Sequence, residues 1–317
     1  MQFRSSINRK RYDPRLVIPA IEASRLSIST EKIWMNNPPK LDKYKQEIAD
    51  LYSRRSQTYD NSDWHLQIAR RLVEYGQVSS GQQVLDIATG TGHVAIAAAQ
   101  IVGAEGRVIG VDISAGMLDA ARKKALELNL NNTEFLLADA ENLDFPDNSC
   151  DSLRDSFASR IFCSSAFIWM SDLHAALTHW HTFLKPEGII GIHAFADTAF
   201  VGGVVTQKVA EKYGISFNMS KPTGTVEKCH RLLEQAGFEE IEIKIEQDGS
   251  YISLEKAKAM WAGNSHPAPG QYPPPLSTLS NEQLAQAKAE FEAELEALQT
   301  EQGIWNDITT FYVFGQK

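Results

Sequence analysis

Hydrophobic residues recur along the chain with two alternating periods, one typical of buried strands and one typical of helices that pack on a sheet. Strands are predicted at 83–88, 107–112, 133–138, 160–164, 188–194, 239–248 and 308–314. Helices are predicted at 41–51, 64–75, 92–102, 114–128, 172–184 and 225–236. Because segments of crossover length separate the first five strands, we expect these strands to be parallel and covered on both faces. The pattern therefore predicts a doubly wound α/β sheet whose ligands bind at the carboxyl ends of the strands.

The last third of the chain has a different pattern of apolar and polar residues. In the sixth strand, polar residues alternate with Ile241, Ile243 and Ile245, which is typical of a half-solvated antiparallel edge strand. Between the last two strands the pattern predicts a helix at 254–262, a Pro-rich connector at 267–275 and an acidic helix at 281–302. We therefore expect a basic extension at 1–40, a core at 41–250 with a small cap at 196–222, a helical lid insertion at 251–303 and a final core strand at 304–317.

Charge and composition narrow the classes of partner. The 317 residues carry a formal net charge of -9, and no basic stripe runs along the sequence, so no nucleic-acid partner is expected. His193 and Asp197 interrupt the apolar window at 188–205, so no membrane span is expected either. The three cysteines are far apart, which is typical of a cytoplasmic chain. His174 and His181 lie two helical turns apart, too far to share an ion, and no metal is expected.

The stretch VLDIATGTGHVAIAAA joins the first strand to the helix that follows through a glycine turn. Taken alone, Gly90 and Gly92 also fit the loose fingerprint of a dinucleotide-binding turn, so a nicotinamide-dependent oxidoreductase stays open at this point. Asp86, however, ends the strand with a carboxylate that we expect to point into the space a pyrophosphate would fill, where it would repel phosphate. Asp112 ends the second strand, where a carboxylate can accept the two hydroxyls of a ribose.

Four motifs follow one another in a specific order: VLDIATGTG, GVDIS, ADAENLDFPDNS and FLKPEG. In order and approximate spacing they resemble the class I S-adenosylmethionine-dependent methyltransferases, and within these the small-molecule branch that includes the quinone-biosynthesis enzymes. The resemblance covers about 59–195. It implies a Rossmann-like doubly wound, seven-stranded, mostly parallel sheet with an antiparallel last strand and helical cap insertions. It also implies S-adenosyl-L-methionine as cofactor, S-adenosyl-L-homocysteine as product, and a small organic molecule as methyl acceptor.

The resemblance carries cofactor roles onto residues at the strand ends. Asp86, Gly90 and Gly92 are expected at the methionyl end of the cofactor, with Ala88 where the family often has a further glycine. Asp112 is expected at the ribose and Ile113 at the adenine face. Tyr59 is expected over the cofactor carboxylate. The remaining predicted cofactor-binding residues are Met117, Asp139, Ala140 and Ser164, with Asp139 and Ala140 at the adenine edge.

The acceptor side is less determined by the sequence. His193, at the end of the fifth predicted strand, is the candidate catalytic base for an acceptor that must lose a proton. Aromatic and histidine residues suggest an apolar or aromatic acceptor, whose methylated atom stays open among oxygen, nitrogen and carbon. The predicted substrate-pocket residues are His65, Trp169, Phe200 and Trp261. A non-catalytic relative that binds the cofactor and regulates a partner through the acidic helix is a further alternative, and the chain is expected to be a monomer or homodimer.

One departure from the family pattern concerns the fourth strand. The residues CDSLRDSF intervene between the FPDNS motif and the next apolar run, so two registers are possible. We place the strand at the later position, because Ile161, Phe162 and Cys163 form the continuous apolar run. This leaves an extra segment at about 150–157 and puts Ser159 where the family usually has an aspartate.

Overall fold

The computed structural model describes residues 39–143, 158–216, 222–261 and 275–317. Almost all of the predicted basic extension, the extra segment at 150–157 and most of the Pro-rich connector lie outside the described residues. In the described part of the chain, no helix is long and apolar enough to cross a bilayer.

The main sheet contains seven strands within the described residues, in the order β3-β2-β1-β4-β5-β9-β6. The strands, in chain order, are β1 Gln83–Ile87, β2 Arg107–Asp112, β3 Thr133–Leu137, β4 Ala158–Ser164, β5 Leu184–Phe195, β6 Glu239–Glu246, β7 Gly249–Ile252, β8 Ile304–Asp307 and β9 Thr310–Gln316. Neighbours among β1 to β5 are parallel. The last strand, β9, runs antiparallel between β5 and β6. The predicted doubly wound, mostly parallel sheet is confirmed.

Helices connect the strands and cover the sheet. In chain order they are α1 Lys43–Arg55, α2 Trp64–Tyr75, α3 His93–Val102, α4 Ala115–Glu127, α5 Leu173–Phe183, α6 Val201–Lys212, α7 Val226–Gln235, α8 Leu254–Lys258 and α9 Asn281–Ala297. The start of α4 is set by Ser114, whose hydroxyl accepts a hydrogen bond from the Met117 amide. Between the sheet and its helices lies an apolar core, and the strands β1 and β2 are buried almost throughout.

The fourth strand takes the later of the two possible registers. Ile161, Phe162 and Cys163 are fully buried in β4 and pair with β1 on one side and β5 on the other. On the β5 side, Ala158 pairs with Leu184 but Arg160 pairs with Ile189, so the LKPEG residues form an irregularity in the ladder. The strand predicted at 188–194 thus begins earlier, and these residues form the start of β5.

A second apolar cluster joins α6, α8 and α9 with the strands β7 and β8. Phe291 of α9 is fully buried at its centre. The acidic helix ends at Ala297 and not at the predicted 302, because Thr300 and Gly303 form a turn that leads into β8. The small sheet of β7 and β8 was not predicted, since four-residue strands are too short to show a period.

Candidate active site

A cavity opens at the carboxyl ends of the central strands. Its place is the one at which doubly wound sheets bind ligands. Of the predicted residues, the lining includes Tyr59, Ala88, Gly90, Asp112, Ile113, Met117, Asp139, Ala140, Ser164 and Trp169. Residues absent from the prediction complete it: Tyr44, Lys45, Ile48, Tyr52, Ala138, Glu141, Ser165, Ala166 and Met170.

The glycine turn forms one wall of this cavity. Gly90 has a φ of 54° and a Cβ there would meet open space, so its backbone faces the cavity bare. Gly92 has a φ of 84°, and a Cβ there would lie 3.0 Å from the Ala121 side chain. Gly92 therefore lets α3 pack closely on α4 and is not itself a lining residue.

Asp86 differs from the expectation that its carboxylate points into the ligand space. The side chain is 1% exposed, and its Oδ2 accepts hydrogen bonds from the Thr89 hydroxyl at 2.5 Å and the Ala95 amide at 3.0 Å. These bonds tie the end of β1 to the turn and to the first turn of α3. Burial raises the pKa of Asp86 to about 7, against the opposing effect of its two hydrogen bonds. Its place in the structure is to hold the turn in shape.

Asp112 lies in the cavity wall with both oxygens already oriented. Oδ1 accepts from the Ser114 amide and Oδ2 from the Gly90 amide, each at 2.8 Å. A carboxylate oxygen has a second lone pair, so each oxygen can still accept a hydroxyl from a ligand. Burial raises the pKa of Asp112 to about 6, although the backbone hydrogen bonds oppose this shift.

At the other end of the cavity, a cation from α1 meets two acids. Lys45 Nζ lies 2.7 Å from Asp139 Oδ2 and 2.8 Å from Glu141 Oε2. Burial alone would lower the pKa of Lys45, but these hydrogen bonds raise it above its usual value. Asp139 also accepts from the Asn142 side chain at 2.7 Å. The two acids and Asn142 thus form a polar end with Lys45 at its edge.

The covering helix α1 was missed as part of the site. Tyr44, Ile48 and Tyr52 are spaced four residues apart on one helical face and all line the cavity. The Tyr44 hydroxyl donates to the Trp169 carbonyl across the cavity wall at 3.2 Å. The four-residue spacing was a usable signal for a buried face, but it does not say what the face covers.

Tyr59 is held at the cavity by its neighbour Asp60. The Asp60 carboxylate accepts from the Thr91 hydroxyl at 2.7 Å, Lys124 at 2.8 Å and His93 Nε2 at 2.8 Å. These bonds fasten the short turn Tyr59–Asn61 to the glycine turn and to α4. His93 accordingly sits beside the cofactor side of the site and not among the cavity-lining residues.

His193 lies behind the cavity wall. It is 1% exposed in β5, and its Nδ1 is 2.8 Å from Ser165 Oγ, which does line the cavity. Its Nε2 is buried with no hydrogen-bond partner. Burial lowers the pKa of His193 to about 3, with a further contribution from His65.

Three of the predicted substrate residues are also outside the lining. His65 stacks on Tyr59 with ring centroids 4.3 Å apart. Phe200 packs against Phe195 at 5.0 Å and has a positive φ of 63°. Trp261 packs 5.1 Å from Phe291 in the apolar cluster of α6, α8 and α9. Among the described residues, no group of three or more His, Cys, Asp or Glu side chains could hold a metal ion.

The cavity fits S-adenosylmethionine in the chemistry of its walls. Gly90 offers bare backbone, Asp112 offers free lone pairs for ribose hydroxyls, and Asp139 and Glu141 add acceptors at the far end. The apolar stretches of Ile113 and Met117 between these ends suit an aromatic base.

Comparison with known proteins agrees with this chemistry. A family model that describes a methyltransferase domain matches residues 78–242, slightly more than half of the chain. Aklanonic acid methyltransferase DauC of Streptomyces sp. (strain C5) is 33% identical over 162 residues, which cover 50% of this chain and 69% of the relative. A ubiquinone/menaquinone biosynthesis C-methyltransferase UbiE of Coxiella burnetii is 36% identical over 121 residues, which cover 38% of this chain and 45% of that protein.

A solved structure extends the likeness of fold beyond the matched segment. The YcgJ protein of Bacillus subtilis superposes with a TM-score of 0.51 and 17% identity, covering 81% of this chain and 99% of that one. At this identity the superposition shows the fold alone. Together with the family match and the cavity at the strand ends, it completes the assignment. The chain belongs to the methyltransferase-domain family and is an S-adenosylmethionine-dependent methyltransferase with a Rossmann-like fold.

Proposed function

We propose that this methyltransferase acts on a small, largely apolar organic acceptor that meets the cofactor beside the segment after β4. The observation that carries the proposal is the distribution of charge in the cavity. The charged side chains of the lining lie in two places. Asp112 is one, and the group of Lys45, Asp139 and Glu141 is the other. The remaining lining is mostly aromatic and aliphatic, which suits a planar, largely apolar acceptor.

We propose the following roles for the cofactor side. Asp112 accepts the ribose hydroxyls, Ile113 and Met117 pack on the adenine, and Asp139 with Ala140 reaches its amino edge. Gly90 and Ala88 let the methionyl part approach the backbone, while Asp86 and Gly92 hold the turn from behind. Tyr59 and Ser164 complete the wall near the reacting methyl group.

The chemistry of the cofactor sets what the chain has to do. The cofactor supplies a methyl group on a positively charged sulfur, which is already a good leaving group. The protein's contribution is then to position the acceptor atom in line and to exclude water, and orientation alone can supply about 7–11 kcal/mol of the barrier. The Tyr52 ring meets the rings of Tyr59 and Trp169 edge-on, at centroid distances of 6.3 and 6.5 Å, which supports a role as a rigid apolar wall.

The names of the relatives agree with an organic acceptor. One is named for aklanonic acid and the other for C-methylation in ubiquinone/menaquinone biosynthesis. The matched segments cover 69% and 45% of these two proteins, so the acceptor of the present chain is proposed from its own cavity.

The direct test is an acceptor screen that measures formation of S-adenosylhomocysteine by the purified chain. The panel contains phenols, quinols, aromatic amines and aromatic carboxylic acids, each paired with a hydrophilic compound that carries the same functional group. We expect turnover with aromatic members and at least about tenfold lower rates with their hydrophilic counterparts. Turnover confined to the hydrophilic set would contradict the proposal. Cofactor binding without turnover on any compound of the panel would also count against an aromatic acceptor.

A further inference from the structure

Ser165 is strained where it meets the cavity. It is the first residue after β4, its φ is 57°, and it lines the cavity next to Ser164 and Ala166. Left-handed backbone is uncommon for residues other than glycine, and such strain gathers at functional sites. The strained backbone of Ser165 therefore indicates a functional reason for its side chain to lie in the cavity wall.

Its partner is His193, which lies directly across the ladder. Ser164 and His193 are paired in the register of β4 and β5, so the residue after Ser164 is brought to the imidazole. The Ser165 Oγ to His193 Nδ1 distance is 2.8 Å. On its other sides the imidazole meets the rings of Phe195 and Tyr312, at centroid distances of 4.7 and 5.1 Å.

The surroundings of His193 select one arrangement of protons. Its Nε2 is buried without a partner, and a buried N–H without an acceptor is rarer than a buried acceptor without a donor. The proton of the neutral ring therefore belongs on Nδ1, from which it is donated to Ser165 Oγ. Burial lowers the pKa of His193 to about 3, which keeps the ring neutral at physiological pH. Because Ser165 Oγ accepts this hydrogen bond from His193, the hydroxyl proton of Ser165 can be donated to another group.

We infer that Ser165 contacts the methyl acceptor and donates a hydrogen bond to one of its oxygens, and that His193 is the positioning residue that fixes this direction. The inference rests on the proposed function, which it deepens by naming the acceptor's chemistry. The acceptor carries a carbonyl, carboxylate or other unprotonated oxygen at or beside the methylated atom.

This arrangement changes the role first expected for His193. A neutral imidazole that already donates through Nδ1, and whose Nε2 is buried, takes no proton from the acceptor. The methylated atom enters with a free lone pair. The new bond forms from that lone pair to the methyl carbon, and the electron pair of the broken carbon–sulfur bond stays on sulfur. An acceptor that enters as an anion, such as a carboxylate, becomes neutral in this step and no proton moves. A neutral amine becomes an ammonium that afterwards gives its proton to water. In both cases Ser165 only holds the oxygen in place.

The first arm of the test measures the His193 tautomer in the ligand-free chain. The probe is a long-range proton–nitrogen spectrum of the chain labelled with nitrogen-15 in histidine, with His193 assigned by its absence in His193→Asn. We expect the proton on Nδ1 from pH 5 to pH 8, and a changed Nδ1 signal in Ser165→Ala. A proton on Nε2, or a charged ring in this range, would overturn the inference.

The second arm measures binding of two probes of the same shape to the chain saturated with S-adenosylhomocysteine. Acetophenone has a carbonyl oxygen where α-methylstyrene has a methylene group. We expect acetophenone to bind about two- to tenfold more tightly, the effect of one hydrogen bond, and Ser165→Ala to abolish this difference. Ser165→Gly, which also relieves the positive φ, should behave like Ser165→Ala.

Two further variants separate positioning from a structural role. His193→Asn keeps an N–H near the position of Nδ1 and should preserve the preference for acetophenone, whereas His193→Phe should abolish it. Equal binding of the two probes, no binding of either, or a preference that survives Ser165→Ala would overturn the inference. Failure to bind S-adenosylhomocysteine would instead count against the proposed function, and the tautomer measurement would still decide the state of Ser165 and His193.

Discussion

Asp112 is the residue on which the cofactor assignment depends most. Its two oxygens are aimed by the Gly90 and Ser114 amides, and burial raises its pKa to about 6. Hydroxyl donors from a bound ribose favour the ionised form of the carboxylate. Cofactor binding and deprotonation of Asp112 are therefore coupled.

We expect the affinity for S-adenosylhomocysteine to be full above pH 7 and to fall by up to about tenfold per pH unit below about pH 6, as Asp112 takes up its proton. Asp112→Ala should weaken binding by about 1.5–3 kcal/mol and remove this fall. Calorimetric titration between pH 5 and pH 8 measures both. Asp119→Ala, at a position with a side chain 76% exposed in α4, is the control and should keep the wild-type profile. An unchanged affinity in Asp112→Ala would contradict the ribose role.

Some residues of the site could be predicted and others could not, for a physical reason. Asp112, Asp139 and Gly90 stand at strand ends or in a tight turn, so their location follows from the local pattern. Lys45 meets Asp139 across 94 positions of sequence, and no local pattern reports such a contact. Ser165 was also missed, because its positive φ comes from the packing around it and not from a glycine.

Among the elements, α1 has the clearest consequence for cofactor exchange. It covers the cavity with Tyr44, Ile48 and Tyr52 and is fastened by Lys45 to the two acids at the far end. Ser53 adds a hydroxyl contact to Ser114 at 2.9 Å. Release of a ligand from beneath this helix requires these contacts to loosen.

We expect Lys45→Met to raise the dissociation rate of S-adenosylhomocysteine by about fivefold, because a partly buried ion pair worth roughly 1 kcal/mol no longer fastens α1. Stopped-flow fluorescence from the tryptophans measures the rate. Arg54→Met removes the charge of an exposed residue of the same helix and should leave the rate within twofold of the wild type. Equal rates in the two variants would show that α1 does not control release.

The acidic helix α9 contributes to stability through its buried face and not to the cavity. Phe291 is fully buried and Trp261 packs on it, whereas Leu298 just beyond the helix is 48% exposed. Phe291→Ala should lower the free energy of unfolding by about 3–5 kcal/mol, since it leaves a hole in the cluster. Leu298→Ala should change it by less than about 0.5 kcal/mol. Urea unfolding measures both, and a loss of cofactor affinity in folded Phe291→Ala would contradict the separation of cluster and cavity.

The elements themselves follow from the sequence to different degrees. The central strands β1, β2 and β4 were predictable because each carries a run of mostly apolar, buried residues. The end of α9 and the strands β7 and β8 were not, because they depend on a turn at Thr300 and Gly303 and on pairing between distant segments. The local pattern of apolar residues predicts which segments are buried, but it does not predict which distant segments pair.

At the scale of the whole molecule, buried acids tie stability to pH. Burial raises the pKa of Asp86 to about 7 and that of Asp112 to about 6 in the folded chain, against the ordinary aspartate value of 3.8. Between the unfolded pKa of 3.8 and these raised values, the folded state binds more protons than the unfolded state. The contribution of the two acids to stability is therefore complete below about pH 4 and is lost as the pH rises towards 7.

We accordingly expect Asp86→Asn to reduce the decline in the free energy of unfolding between pH 5 and pH 7.5 in the ligand-free chain. Asparagine resembles the protonated acid. The free energy of unfolding of the variant should therefore match that of the wild type at pH 5 and exceed it at pH 7.5. Urea unfolding at the two pH values measures this, with Asp119→Asn as the control. A decline of the same size in Asp86→Asn and the wild type would show that Asp86 is ionised throughout.

The most direct measurement is a calorimetric titration of the purified chain with S-adenosylhomocysteine and, at matched ionic strength, with NADH. The cavity beside Asp112 should give saturable binding of S-adenosylhomocysteine with one site per chain, lost or much weakened in Asp112→Ala, and no binding of NADH. Binding of NADH in place of S-adenosylhomocysteine, or binding of S-adenosylhomocysteine that is indifferent to Asp112, would contradict the assignment of this cavity.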